Sequence, residues 1–189
     1  MLSPTRYAAV CARATYRIGT TGAVLLHLVV RHDGGARMMK LTEIIPKNCI
    51  RVPLKATDKT AAITELVDLL NDSGQLLQRD DVLAAVLARE KVRSTGIGQG
   101  LAVPHGKSTG SRDLVMAVGK PAKAIDFDAI DARPCSFVML LVSPVDKTGP
   151  HVKALANVSR MWLNEGFVRD VMAASTADDI FAAIARHQT

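Results

Sequence analysis

The stretch "CSFVMLLVSP", Cys135 to Pro144, is a near-continuous apolar run of strand length. It lacks the alternation that leaves one face of a strand to water, so it reads as a strand covered on both faces. Helical patterns that can supply the cover lie on either side of it. Upstream, Ile63, Leu66, Val67 and Leu70 fall at i, i+3, i+4 and i+7 behind the capping residue Asp58, and Gly74 closes that helix in the left-handed region. A second helix is expected from Asp80 or Asp81 through "VLAAVLAREKV", with Leu83, Val86 and Leu87 as its buried stripe and Arg89 and Glu90 at its C-terminal end. Downstream, "TGPHVKALANVSRMWLNEG" reads as a third long helix, with Thr148 or Gly149 near its N-cap, Pro150 at its first position and Gly166 closing it. "FVRDVMAA" and "STADDIFAAIARH" read as two shorter helices, the second opening on a capping box formed by Thr176 with Asp179 or Ser175 with Asp178.

Short strands are expected at "STGIG", "LAVPH" and "LVMAVG", and residues 40–56, which contain Pro46 and Pro53, read as an extended lead-in with one edge strand. Helices first, strands in the middle and helices last make an α/β sandwich the natural architecture. At 189 residues the chain is long enough for one sizeable core and too short to expect two independent domains. Its 48% hydrophobic and 22% charged residues are those of an ordinary folded protein rather than a disordered one.

The formal charge of +6 invites a nucleic-acid partner, but its location argues otherwise. Residues 1–37 hold Arg6, Arg13, Arg17, Arg31 and Arg37 against Asp33 alone, so +4 lies there and +2 on the remainder. With no basic stripe and 4% aromatic residues, the footprint of a nucleic-acid binder is missing. Cys11, Cys49 and Cys135 are far apart and in no CxxC or His/Cys ligand spacing, which points to reduced thiols in a cytoplasm rather than a disulfide framework or a zinc site. The longest apolar run, Gly22 to Val30, is about half the roughly 20 residues a membrane-spanning helix needs, so no insertion into a membrane is expected. The arginines before that run resemble a secretory leader, yet no A-x-A cleavage site follows. Residues 1–38 are therefore read as an extension outside the fold, with Met38 or Met39 as the natural beginning.

The segment "GQGLAVPHGKS", residues 98–108, is where chemistry concentrates. As a phosphate-binding P-loop it fails, because the glycine required five places before Gly106 is replaced by Leu101 and Pro104 removes an N–H from a loop that must offer N–H groups. A dinucleotide fingerprint fails at the same Leu101. What remains is His105 between Pro104 and Gly106. Pro104 fixes its own φ and forces Val103 to be extended, so a strand is expected to end at a rigid point with the imidazole just beyond it. A neutral imidazole is a competent nucleophile toward phosphorus; a turn histidine without a task is the alternative.

Two further residues bear on that choice. His151 follows Pro150 in a first helical turn, where free N–H groups favour an anion, although it also shares a helical face with Leu155, Val158 and Trp162 as a core histidine does. Arg89 can offer a guanidinium fork to phosphate oxygens or be only a helix-end charge. The carboxylates of "DFDAID", Asp126, Asp128 and Asp131, do not have calcium-loop spacing and read as a solvated loop.

Arg89, "STGIGQGLAVPHGK", the "FDAIDARP…FVMLLVSP" connection and "GPHVKALANVSR" together resemble the type-2 enzyme IIA family of the bacterial phosphoenolpyruvate-dependent phosphotransferase system, its fructose, mannitol and nitrogen-regulatory branch. The resemblance runs from about Leu41 to the C-terminus. It implies a single α/β domain over residues 39–189, a three-layer-like sandwich of helices around a small mixed sheet. It implies that His105 is the phospho-acceptor, taking the group from the phosphocarrier HPr, and that His151 and Arg89 line the same pocket and steady the phosphohistidine. No cofactor and no metal ion are implied. The onward partner is a IIB component or, in a purely regulatory module of the nitrogen branch, a protein target gated by the phosphorylation state. The implied location is cytoplasmic.

Overall fold

A computed structural model describes residues 39–188, and the reading of residues 1–38 as an extension lies outside the described residues. After two short 3-10 turns, Leu41–Glu43 and Lys47–Cys49, the chain forms strand β1 (Ile50–Leu54), helices α1 (Lys59–Asp72) and α2 (Arg79–Val92), then strands β2 (Gly96–Gly98), β3 (Leu101–Ala102), β4 (His105–Lys107), β5 (Val115–Pro121) and β6 (Phe137–Ser143), and ends with helices α3 (Thr148–Trp162), α4 (Glu165–Ala173) and α5 (Ala177–His187). The six strands make one mixed, open sheet in the order β1-β5-β6-β3-β2, with β4 also paired to β6. The lead-in strand β1 lies at the edge, parallel to β5.

The apolar run is the central strand β6, buried along its whole length. Its side chains alternate between two cores. Phe137, Met139 and Leu141 pack with α3, α4 and α5, while Val138, Leu140 and Val142 pack with α1 and α2. The result is three layers, helices on both faces of a mixed sheet.

The helix ends follow side-chain chemistry. The Asp58 carboxylate accepts from the Ala61 N–H at 2.9 Å, and Gly74, with φ +73°, follows the last turn of α1. In α2 the buried positions are Val82, Val86 and Glu90, so Val86 is buried as expected while Leu83 and Leu87 are only partly buried. This helix starts at Arg79, ahead of Asp80, with no side-chain cap from Gln78. Pro150 is the third residue of α3, and Gly166 does not close that helix. The Asn164 side-chain Oδ1 accepts from the N–H groups of Gly166 and Phe167, so a new helix, α4, begins at once. Of the two capping boxes open at the start of α5, Thr176 with Asp179 forms.

The strand expected to end before His105 resumes there. Leu101 and Ala102 pair with Phe137 and Val138, and His105 and Gly106 pair with Leu141 and Val142 in the same parallel register. Pro104 lacks an N–H, but its carbonyl still accepts from the Leu141 N–H at 2.9 Å, so the ladder is interrupted without being shifted. Directly beyond His105, α2 lies against β4. A Cβ on Gly106 would meet Val86 Cγ2 at 2.9 Å, Val86 N at 3.0 Å and the Ala85 carbonyl carbon at 3.2 Å. Two of those atoms are helix backbone, which cannot rotate away. Gly106→Ala is expected to cost about 1–3 kcal/mol of stability, read as a lowered urea midpoint; an unchanged midpoint would show that α2 can move off β4 freely.

Candidate functional site

The close approach of α2 to β4 puts the C-terminal turns of the helix beside His105. A cleft of about 630 Å³ opens between them, lined by Arg89, Arg93, Thr95, His105, Asp128 and Ile130 among others. His105 and Arg89, two of the three residues singled out above, share it. His151 does not line it; it lies behind His105, with the two ring centroids 5.6 Å apart and the rings at 61°.

His105 is half-buried, and its Nδ1 lies 2.8 Å from the Val103 carbonyl. A carbonyl oxygen can only accept, so Nδ1 carries the proton and donates it to this bond. In the neutral ring the lone pair is then on Nε2. Burial, opposed by the Val103 bond, and the positive charge of Arg89, opposed by the Glu90 carboxylate, together hold the imidazole pKa below its ordinary 6.5. At neutral pH the ring is uncharged and of defined tautomer.

His151 is 3% exposed and its Nδ1 lies 2.8 Å from the Ser143 hydroxyl. Burial, then the nearby His105 and Lys107, push its pKa down to about 4. Its backbone N–H is already spent on the Lys147 carbonyl at 3.1 Å, so the anion-binding helix start inferred from the Pro-His pair is not what this residue offers. The core reading describes it, since the ring is buried and bonded to Ser143 on one side and packs edge-on against His105 on the other.

Arg89 donates from one terminal nitrogen to the Arg93 carbonyl at 2.8 Å, which steadies the guanidinium at the cleft. The three aspartates of the 126–131 loop are each engaged. Asp126 accepts from the Asp128 N–H, Asp128 pairs with Lys59 Nζ at 2.6 Å, and Asp131 accepts from the Gln99 N–H at 2.8 Å. Among the described residues no group of three or more His, Cys, Asp or Glu side chains converges as metal ligands would. Cys49 and Cys135 are buried free thiols, and burial raises the pKa of Cys135 to about 11. No helix among the described residues is long and apolar enough to cross a membrane.

Sequence reasoning passed over Glu90, Thr95, Ser143 and the Val103 carbonyl. For Glu90 the signal was present: a carboxylate recurring at four-residue spacing after Val82 and Val86 on the face that turns inward. Ser143 ends an otherwise apolar strand, and only its placement opposite α3 gives the hydroxyl a partner.

The low pKa of His151 links protonation to stability. The unfolded imidazole titrates near 6.5 and the folded one near 4, so between these values protons bind the unfolded chain more readily. The stability is complete above pH 6.5 and is lost as pH falls to 4, about 3 kcal/mol for this group, and His105 acts in the same direction. Urea unfolding at pH 7 and pH 4.5 is expected to show a loss smaller by about 2 kcal/mol in His151→Gln than in the natural protein; equal losses would contradict the buried neutral ring.

The family model described as "Phosphoenolpyruvate-dependent sugar phosphotransferase system, EIIA 2" matches residues 43–187. The PTS system fructose-specific EIIABC component of Bacillus subtilis is 30% identical over 149 residues, which are 79% of this chain and 24% of that protein, so the chain spans about a quarter of that relative. The nitrogen regulatory protein of Escherichia coli is 32% identical over 149 residues, 77% of this chain and 90% of the relative. Nitrogen regulatory protein IIA-Ntr from Neisseria meningitidis has the same fold, with TM-score 0.71 and 30% identity over 76% of this chain and 98% of that one.

Proposed function

The chain belongs to the EIIA 2 family of the phosphoenolpyruvate-dependent sugar phosphotransferase system, and from that premise we propose that His105 is its phospho-acceptor, charged by an HPr-type phosphocarrier and discharged to a IIB component. Members of this family are phosphotransferase components. The observation that carries the residue assignment is the bond from His105 Nδ1 to the Val103 carbonyl, which leaves Nε2 with the lone pair in a cleft shared with Arg89.

The Nε2 lone pair attacks phosphorus on the donor's phosphohistidine. The donor P–N bond breaks and its electron pair returns to the donor ring, while the His105 Nδ1 proton stays on its bond to Val103. Onward transfer runs the same steps in reverse toward the next acceptor. The transition state is loose, with charge spread over the equatorial oxygens, so positioning and charge stabilisation do most of what the protein contributes. The Arg89 guanidinium supplies a planar donor fork for those oxygens. His151, kept neutral by burial, braces the acceptor ring without adding a competing positive charge. Transfer between two histidines calls on no metal ion and no cofactor, because the phosphoryl group arrives on an already activated bond. The same reading places the protein in the cytoplasm.

A regulatory destination is the second reading, supported by the 32% identity to the nitrogen regulatory relative over 90% of that protein's length. Phosphorylation adds close to two negative charges beside the exposed Ile97 and Ile130, enough to change which protein surface the cleft rim accepts.

Incubation with labelled phospho-HPr is expected to place acid-labile label on the natural protein and none on His105→Ala. His151→Ala is expected to retain part of the acceptance and to slow onward transfer about 10- to 100-fold. Label on a residue other than His105 overturns the assignment. Chasing the labelled protein with IIB components separates the two destinations, since label that passes to IIB supports the carrier and label that stays supports the regulatory module.

A further inference from the structure

We infer that Glu90 is a positioning residue for His105, acting through Thr95 and the Val103 carbonyl to hold the imidazole in its Nδ1–H form. The functional consequence rests on His105 being the phospho-acceptor; the structural claim does not.

Glu90 is a carboxylate on the inward face of α2, 6% exposed, where an apolar residue would continue the series of Val82 and Val86. Burying a carboxylate is costly unless its lone pairs are met. Here both oxygens accept from the Thr95 N–H at 3.2 Å and one accepts from the Thr95 hydroxyl at 2.5 Å. Lys59 Nζ lies 3.6 Å from the carboxylate and is shared with Asp128 at 2.6 Å. Glu90 therefore clamps one residue, Thr95, by both its main-chain and side-chain donors.

Thr95 is itself buried, and its carbonyl accepts from the Val103 N–H at 2.9 Å. The Val103 carbonyl accepts from His105 Nδ1 at 2.8 Å. Three consecutive hydrogen-bonded links thus run from a buried charge to the imidazole. Pro104 has no N–H and is tied to β6 through its carbonyl, which accepts from the Leu141 N–H, so on the N-terminal side the Val103 peptide is held by its bond to Thr95. The links lie in successive peptide groups rather than one, so the effect is mechanical first. Electrostatics adds to it, because the negative charge of Glu90 favours a proton on the nearby ring and offsets the opposing charge of Arg89. During transfer that same proton keeps positive charge on the ring once Nε2 is bonded to phosphorus, which preserves its ability to leave again.

The test is long-range proton–nitrogen NMR of the ring nitrogens in uniformly nitrogen-15-labelled full chain at neutral pH, with acceptance from phospho-HPr measured in parallel. The natural protein is expected to show His105 with a protonated Nδ1 and a bare Nε2. In Glu90→Gln, which keeps the shape and removes the charge, the two His105 nitrogens are expected to move toward tautomeric averaging while the His187 ring signals stay in place, and acceptance to fall about tenfold. Thr95→Val keeps the carboxylate and removes its shortest bond, and is expected to shift the same signals by a smaller amount. It decides the matter if Glu90→Gln does not fold. His105 nitrogens that match the natural protein's in the folded variants, whatever happens to melting temperature, overturn the inference and leave Glu90 as a tie between α2 and β2. If His105 is not the acceptor, the nitrogen shifts still report on Glu90 and only the change in transfer rate is lost.

Discussion

The hydrogen bond from His105 Nδ1 to the Val103 carbonyl is the constraint on which the proposed chemistry of this chain depends. An imidazole free to rotate presents either nitrogen, in either tautomer, to a visiting phosphoryl group. Tied to a main-chain oxygen two residues away, it presents one nitrogen with a lone pair in one direction. The backbone supplies that oxygen because Pro104 interrupts the ladder between β3 and β4 while leaving their register on β6 unchanged. The strand is rigid on both sides of the interruption, and the ring stands at the break.

The layered fold explains why a cleft lies at that point. The central strand β6 is covered by two cores, so helices pack on both faces of the sheet. On one side Gly106 lets α2 approach β4 to backbone contact, bringing Arg89 and Glu90 to the histidine. On the other side α3 starts just after β6 and carries His151 into the sheet face, where Ser143 meets its Nδ1. Two helices from opposite layers thus deliver a cation, a buried carboxylate and a neutral ring to one imidazole. The burial that stabilises the domain also keeps both rings uncharged at neutral pH.

Much of this was legible in the residues. The apolar run at 135–144 required cover on both faces, and Asp58, Gly74 and the Thr176–Asp179 pair marked helix ends by local chemistry that does not depend on tertiary context. The local motif around His105 singled out a strand, a proline and a glycine that the structure puts to use. Where the reading departed from the structure, a non-local partner decided. The buried face of α2 keeps Val86 but takes Val82 and Glu90 in place of Leu83 and Leu87, and a carboxylate that accepts from both the N–H and the hydroxyl of Thr95 can be buried where pattern alone would keep it in water. Asn164 restarted a helix where Gly166 suggested an end. The strand resumed at His105 because a proline costs the ladder a donor but not an acceptor. The spatial relation of His105 to His151, 46 positions apart in the chain, follows only from the pairing of β4 with β6 and the turn into α3.

The central claim is tested most directly by nitrogen-15 and phosphorus-31 NMR of the protein after charging by phospho-HPr. The account predicts one phosphorus coupled by a single bond to Nε2 of His105, with Nδ1 still protonated. Phosphorus on Nδ1 of that ring, or on His151, would contradict it.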